Sequence, residues 1–385
     1  YLGGSGLVGY YLLKEVPKGA DPLGPENLLI MAGGTGGHVF PALAVAKALA
    51  KQGWQVCWLG TADRMEARLV LHHGFDIDFI DIKGVRGNGL VRKLAAPFKI
   101  LRSIMQAREV IKEFKPDVVL GMGGFASGPG GVAAKLSGIP LVLHEQNAIP
   151  GMTNKLLSRI ATRVLCAFDN TFEAGAEVVG NPIRSELIAL GRSQVPSVQD
   201  DALRVLVVGG SLGAKIFNDL MPSVTAAVAK QHSMTVWHQV GKGNQAKVEA
   251  EYLQLGQSGS VKVAEFIDDM EAAYRWADVI LCRAGALTVS EVAAVGLPSL
   301  LVPYPHAVDD HQTKNAQVLV EAGGAFLLPQ TLLTSEKLIS KLQILASDRR
   351  ALVEMGELAK SVAVLDATER VANVCIALAS KEKND

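Results

Sequence analysis

From Leu28 onward the chain alternates short apolar runs with longer segments whose apolar residues recur every three or four positions. The short runs, rich in Val, Ile and Leu and bounded by glycine, predict strands buried on both faces. The three-to-four spacing predicts helices with one apolar face. In the first half LLIM opens the series. VCWLG (56–60), FIDI (79–82), DVVLGMGG (117–124), PLVLHEQN (140–147) and TRVLCAF (162–168) follow as strands. PALAVAKALAKQG (41–53) and LRSIMQAREVIKEFK (101–115) lie between them with helical spacing. The pattern restarts at RVLVVGG (204–210) and runs through TVWHQVG (235–241), VKVAEF (261–266), VILCRAG (279–285), PSLLVPYP (298–305) and GAFLLP (324–329). Such βα alternation, written twice, predicts an α/β protein with two Rossmann-like parallel-sheet domains facing a cleft. Ligands of open parallel sheets bind beyond the carboxyl ends of the strands, so polar residues there carry functional weight.

Between the halves, GNPIRSELIALGRSQVPSVQDD (180–201) mixes Pro, Gly and charge and reads as the linker. The last segment, DATERVANVCIALASKEK (366–383), reads as an amphipathic helix whose packing partner the pattern leaves open. The first 26 residues fit neither a signal peptide, lacking a basic segment before an apolar core, nor a domain. They are expected to be a disordered or non-native extension. No apolar run reaches the ~20 residues of a spanning helix.

One phrase, strand–GG[TS]xG–helix, opens each half: Gly33, Gly34, Gly36 and Gly37 in the first, Gly209, Gly210 and Gly213 in the second. A side-chain-poor turn ahead of a helix start offers free N–H groups and a positive dipole end to phosphate. The dinucleotide spacing is not met, since Val39 stands where a third glycine belongs, and the strand ends at Gly60 with no carboxylate placed there for a ribose diol, Asp63 coming a little late. His38 sits at the first helix start, where the dipole favours a neutral imidazole suited to general-base work. GMGGFASGPGG (121–131) is either a second phosphate cradle or a tight βα turn. His144, Glu145, Gln146 and Asn147 crowd one strand end, an expensive arrangement unless solvated or used. The expectation is a carboxylate that orients a base, with Asn147 binding a hydroxyl.

In CRAGALTVSE (282–291) a strand runs into Gly285, so a helix beginning near Ala286 presents free N–H groups. Glu291, about two turns in, suits a ribose diol, and Arg283 can counter phosphate charge. HAVDDHQTKNAQ (306–317) holds two aspartates beside one His, without closed metal-ligand spacing, and reads as a polar loop for sugar hydroxyls. DID (76–78) formally matches a metal–nucleotide pattern but lies in an alternating strand, where the match is coincidental.

Charge is balanced, with 38 basic and 38 acidic residues, which gives no support to a nucleic-acid partner. At 385 residues the chain exceeds the roughly 250–300 residues of a single core. The four cysteines, Cys57, Cys166, Cys282 and Cys375, are far apart in apolar surroundings and read as reduced core residues. One local excess stands out against the neutral whole. KGVRGNGLVRKLAAPFKILRSIMQAR (83–108) carries seven basic residues, no acidic one, and interleaved apolar residues. It reads either as a patch for anionic lipid or as an ordinary solvated helix.

Taken together, GGTGGHVFPALAVA, GMGGFASGPGG, HEQN, VVGNPIR, VVGGSLGA, EFIDDM and GALTVSE resemble the MurG family of bacterial cell-wall glycosyltransferases, over nearly the whole chain from Leu28. The resemblance implies the GT-B fold, with domains at 27–183 plus 366–385 and at 184–365, the last helix returning to the first. It implies inverting transfer of GlcNAc from UDP-GlcNAc to the C4 hydroxyl of MurNAc-pentapeptide on undecaprenyl pyrophosphate (lipid I to lipid II), without cofactor or metal. It implies His38 and Glu145 as the catalytic pair, either of which is able to take the proton. Ile267 would meet uracil through its backbone, and Glu291 the ribose. Ser211 with Ala286, Leu287 and Thr288 would hold the pyrophosphate, in a segment that continues through Val289 and Ser290. Gln312 and Asn147 would read GlcNAc hydroxyls, with Arg184 near the donor and Thr35, Gly36 and Gly37 lining the cleft. Gly33, Gly34, Gly123, Gly124 and Ser127 would receive the acceptor's pyrophosphate. Implied partners are the anionic cytoplasmic surface of the inner membrane and cell-wall and division proteins. Phe125 departs from the Tyr common there, which removes any role for a hydroxyl. Same-fold alternatives are a UDP-GlcNAc 2-epimerase and a non-catalytic UDP-sugar-binding protein.

Overall fold

The computed structural model describes residues 26–82, 90–173, 175–193 and 202–382. The first sheet is built from β1 (Asn27–Ala32), β2 (Gln55–Gly60), β3 (Asp76–Phe79), β4 (Val118–Gly123), β5 (Leu141–Glu145), β6 (Arg163–Cys166) and β7 (Ala176–Val178). Connecting helices are α1 (Gly36–Ala50), α2 (Met65–His72), α3 (Leu90–Phe114), α4 (Ser127–Leu136) and α5 (Met152–Leu157). The crossover helix α6 (Ser185–Ser193) leads to a second sheet of β8 (Leu203–Val208), β9 (Met234–Gln239), β10 (Val261–Ala264), β11 (Val279–Cys282), β12 (Ser299–Leu301) and β13 (Ala325–Leu327). Its helices are α7 (Lys215–Val228), α8 (Gln245–Gln254), α9 (Met270–Trp276), α10 (Ala286–Val295) and α11 (His311–Ala322). The chain ends in α12 (Ser335–Ser347), α13 (Arg349–Ser361) and α14 (Ala367–Glu382).

Strand order is β3-β2-β1-β4-β5-β6-β7 in one sheet and β10-β9-β8-β11-β12-β13 in the other, and the paired strands run parallel. In each sheet the order reverses at the first strand, between β1 and β4 and between β8 and β11. Each reversal splays two loops apart at the carboxyl edge and leaves a crevice there. The glycine phrases follow β1 and β8, and so sit at the two crevices. The fold class is that expected: α/β with two Rossmann-like parallel sheets.

The central strands are apolar throughout because both faces are covered. Leu28 to Ala32 of β1 have no exposed surface. Separate apolar clusters lie on the two faces of each sheet. Helix α14 places Val371, Ala372, Cys375 and Ala379 on one stripe, in the cluster that also holds α1 and β1, so the chain's last helix packs on its first sheet. Leu187 and Leu190 of α6 belong instead to a cluster of the second sheet.

Several expectations change. The strand read at 79–82 lies at Asp76–Phe79, where alternation suits an edge strand paired to β2, and DID is part of it. The short edge strand β7 was not anticipated. The stretch 180–201 is not a bare linker, because α6 is packed helix; 194–201 fall outside the described residues. The polar loop read at 306–317 becomes helix from His311. Of the extension, residues 1–25 are outside the described residues, as are 83–89 of the basic stretch. All four cysteines are buried and unpaired.

Candidate active site

Two helix starts face the cleft with amides to spare. At α1 the first helical bond closes with His38 N and Val39 N on the Thr35 carbonyl, so among the described residues the amides of Thr35, Gly36 and Gly37 have no protein acceptor. At α10 the first is Val289 N on the Gly285 carbonyl, which leaves Ala286, Leu287 and Thr288 in the same condition. Each start carries the positive end of a helix dipole, the arrangement that binds anionic oxygen.

His38 lies half-buried at the α1 start, its ring against the backbone of Gly123; a Cβ at Gly123 would come within 2.9 Å of it. Its Nδ1 meets Gln146 Oε1 at 2.8 Å. Gln146 Nε2 donates to the His144 carbonyl and to His144 Nδ1, each at 3.1 Å. His144 Nε2–H in turn donates to the Gly180 carbonyl at 2.8 Å. His144 is fully buried, and burial pulls its imidazole down to about 4.

Glu145 points elsewhere. Its Oε1 accepts from Asn147 N (3.0 Å) and Asn147 Nδ2 (3.3 Å), and its Oε2 from Gly151 N (3.1 Å) and Asn154 Nδ2 (2.8 Å). The carboxylate, 2% exposed, folds the turn after β5 upon itself. The expectation that Glu145 orients His38 is therefore corrected: Gln146 makes that contact. Alternation along an extended chain explains it, since residues 144 and 146 share one side and 145 takes the other.

The turn after β5 is also tied to the second sheet. Asn315, with no exposed surface, accepts from Ala148 N (2.8 Å) and donates to Asn147 Oδ1 (3.2 Å) and the Ala284 carbonyl (3.2 Å). Asn181 Nδ2 bridges the Gln146 carbonyl (3.1 Å) and Ser290 Oγ (3.0 Å). Asn147 is thus already held from both sides.

At the second helix start, Glu291 Oε1 accepts Arg184 Nη2 (2.9 Å) and Nε (3.3 Å), and Oε2 accepts the Tyr274 hydroxyl (3.1 Å). Burial raises the Glu291 carboxyl above its ordinary range, and both partners pull it back. Arg184 also lies over the Phe40 ring, joining α1 to α10. Ser211 is exposed in the loop after β8, and Ile267 is buried just past β10. Gln312 accepts from Tyr304 N at 2.8 Å and has no protein acceptor for its NH₂ among the described residues.

Other expected contacts are used up internally. Val289 is core, 1% exposed with its N–H committed, and the Ser290 hydroxyl donates to the Ala286 carbonyl. Ser127, fully buried, donates to the Met31 and Gly123 carbonyls. Gly33 N donates to Gly123 O, and Gly34 N to the buried carboxylate of Glu66 at 2.9 Å. Gly33, Gly34, Val289, Ser290 and Ser127 thus have these donors committed internally, whereas among the described residues the amides of Thr35–Gly37 and of Gly124 have no protein acceptor. Arg283, expected to meet phosphate, donates to the Val302 and Pro303 carbonyls. Glu66, Tyr274 and Asn181 went unnoticed in the sequence, and Asn315 was passed over inside the 306–317 stretch. Asn181 stands in VVGNPIR and was within reach, whereas Glu66 and Tyr274 acquire meaning only from their partners.

Residues 28–166 match the glycosyltransferase family 28 N-terminal domain and 204–371 its C-terminal domain. The chain belongs to the MurG family, within glycosyltransferase family 28. A protein of Shewanella loihica, named UDP-N-acetylglucosamine–N-acetylmuramyl-(pentapeptide) pyrophosphoryl-undecaprenol N-acetylglucosamine transferase, is 93% identical over 360 residues, covering 94% of this chain and 99% of that one. A relative of the same name from Shewanella sediminis is 81% identical, over 93% and 98%. The crystal structure of MurG from Acinetobacter baumannii has TM-score 0.78 at 45% identity, covering 92% of this chain and 100% of that one. A UDP-GlcNAc 2-epimerase from Neisseria meningitidis, solved with UDP-GlcNAc, has TM-score 0.65 at 15% identity over 91% and 100%, and shares the fold alone. Membership in the family makes the chain an N-acetylglucosaminyltransferase.

Proposed function

We infer that the chain moves GlcNAc from UDP-GlcNAc to the C4 hydroxyl of MurNAc-pentapeptide carried on undecaprenyl pyrophosphate, with inversion. The observation that carries this is the 93% identity to the Shewanella loihica transferase over almost the full length of both chains.

The reaction is a single displacement. His38 Nε2 takes the hydroxyl proton as the acceptor oxygen bonds to the anomeric carbon and the bond to the UDP oxygen breaks. The charge left on UDP falls to the amides of Ala286, Leu287 and Thr288 at the positive end of α10. Glu291, held by Arg184 and Tyr274, retains lone pairs for the ribose diol. Gln312 offers its NH₂ to a GlcNAc hydroxyl. Glu145 serves as the anchor of the turn rather than as base, because four donors already occupy its two oxygens. The amides of Thr35, Gly36 and Gly37 suit the acceptor's pyrophosphate.

Helix α3 supports docking on the cytoplasmic face of the inner membrane. No described helix is long and apolar enough to cross a membrane. Phe98, Leu101 and Met105 are exposed at helical spacing (77%, 57% and 51%), beside exposed Lys99 and Arg108. Such a stripe suits an interface rich in anionic lipid. Contacts with cell-wall and division proteins belong to the same reading. Phe98→Ser with Leu101→Ser should lower co-sedimentation with phosphatidylglycerol vesicles and leave turnover of a short-chain acceptor unchanged; unchanged co-sedimentation removes the docking role.

The test of the activity is UDP release from UDP-GlcNAc with a short-chain lipid I analogue, with and without chelator. Acceptor-dependent release that chelator leaves intact is expected. Formation of UDP-ManNAc without acceptor would mark an epimerase, and donor binding without release a binding protein; either overturns the reading.

A further inference from the structure

His144 and Gln146 sit behind His38, out of reach of any substrate that meets its ring from the cleft, and both are buried. Their hydrogen bonds leave one consistent pattern of protons. The Gly180 carbonyl accepts only, so His144 carries its proton on Nε2 and presents a bare Nδ1. Gln146 meets that bare Nδ1 and the His144 carbonyl with the same end of its amide. Two acceptors on one side require the NH₂ there, which turns Oε1 to the other side. Oε1 faces His38 Nδ1 at 2.8 Å, and an oxygen acceptor there requires the proton on Nδ1. The lone pair of His38 is then on Nε2.

We propose that Gly180, His144 and Gln146 form a tautomer relay that holds His38 with Nδ1 protonated and Nε2 bare. This rests on the reading of His38 as the base, and assigns Gln146 and His144 as positioning residues for it. The reason for such a device is chemical. A free neutral imidazole favours the proton on Nε2, the nitrogen that has to be empty to accept the hydroxyl proton. A buried amide is an uncharged way of reversing that preference. A carboxylate would do the same, but would have to lose its water in a site next to a diphosphate. The low value of His144 serves the relay, since protonation at Nδ1 would set two donors against each other. The relay also joins the halves: its origin, Gly180, lies where the chain leaves the first sheet, and Asn181 grips the Gln146 carbonyl and Ser290.

The test is nitrogen NMR of the full chain with ¹⁵N-histidine, His38 being assigned by its loss in His38→Ala. The native protein at pH 7.5 is expected to show His38 with Nδ1 protonated and Nε2 unprotonated. Gln146→Met, which keeps length and burial but has neither amide group, should move His38 to the Nε2–H form. It should lower kcat about ten- to a hundredfold with donor KM within about twofold. Gln146→Glu, which keeps an oxygen acceptor toward His38 and can carry its own proton on the oxygen facing His144, should hold His38 in the Nδ1–H form. Native His38 found as Nε2–H, or a Gln146→Met spectrum with His38 unchanged, overturns the relay. If His38→Ala retains turnover while the spectra follow expectation, the relay stands and the base assignment falls.

Discussion

The glycine turn after β1 and the glycine turn after β8 look alike in sequence and differ in how they are built. In the first, Gly33 and Gly34 surrender their amides to Gly123 and Glu66, the Gly123 backbone supports the His38 ring, and His38 is wired to Gln146. The second is braced from below: Gln239 donates to the Gly210 carbonyl at 2.7 Å, while Ser211 and Leu212 stay exposed. A turn that positions a reacting group is held by side chains from several elements. A turn that receives a ligand keeps its top open. On the proposed reading, the same local phrase supports chemistry on one side of the cleft and binding on the other.

The largest expected effect on stability comes from the scaffold of the first region. Glu145→Ala removes the shared acceptor of four donors, of which Asn154 Nδ2 is buried, and should cost about 3–4 kcal/mol in urea unfolding. Whatever protein folds should retain much of its kcat at saturating donor, because the carboxylate does not touch His38. Loss of kcat in a stable Glu145 variant would return that residue to the chemistry.

Next come the glycines themselves. At Gly213 φ is +73° and a Cβ would overlap the Val240 carbonyl, so Gly213→Ala should destabilise by on the order of 3 kcal/mol. At Gly34 φ is +86° but nothing lies within 4 Å, so Gly34→Ala should cost only about 1 kcal/mol. Equal costs would mean that the two turns are not braced differently.

Each region has a buried histidine that sharpens the contrast with pH. Burial lowers His144 to about 4 and His238 to about 3, both below the ordinary 6.5 of the unfolded chain. The unfolded state therefore takes up protons first, and stability present above about pH 6.5 declines as pH falls toward 4. Replacing His238 by Gln should flatten part of that decline without altering the pH profile of kcat. The native profile should fall on the acid side, where Glu145 and His38 are the charges facing His144. An unchanged stability slope in the His238 variant would break this account.

The sheets were legible because strands buried on both faces must be apolar, and the glycine turns because phosphate and close packing both exclude side chains. The exposed edge strand β7 and helix α6 lacked that signal; α6 lay in a segment whose Pro, Gly and charge suggested a linker. His38 was legible from its place at a helix start. Glu145 was misplaced beside it because residue type was weighed above the two-residue alternation that sends 144 and 146 one way and 145 the other. Gln146 gains its role only through His144 and the Gly180 carbonyl, 34 residues downstream of it, which no local pattern reveals.

The central claim, that His38 is the base, is tested most directly by single-turnover transfer in His38→Ala with saturating UDP-GlcNAc and a short-chain lipid I analogue. The account predicts a loss of about 10²–10⁴-fold in the chemical step with donor affinity within about twofold of the native protein. Near-native transfer at saturating donor would contradict it.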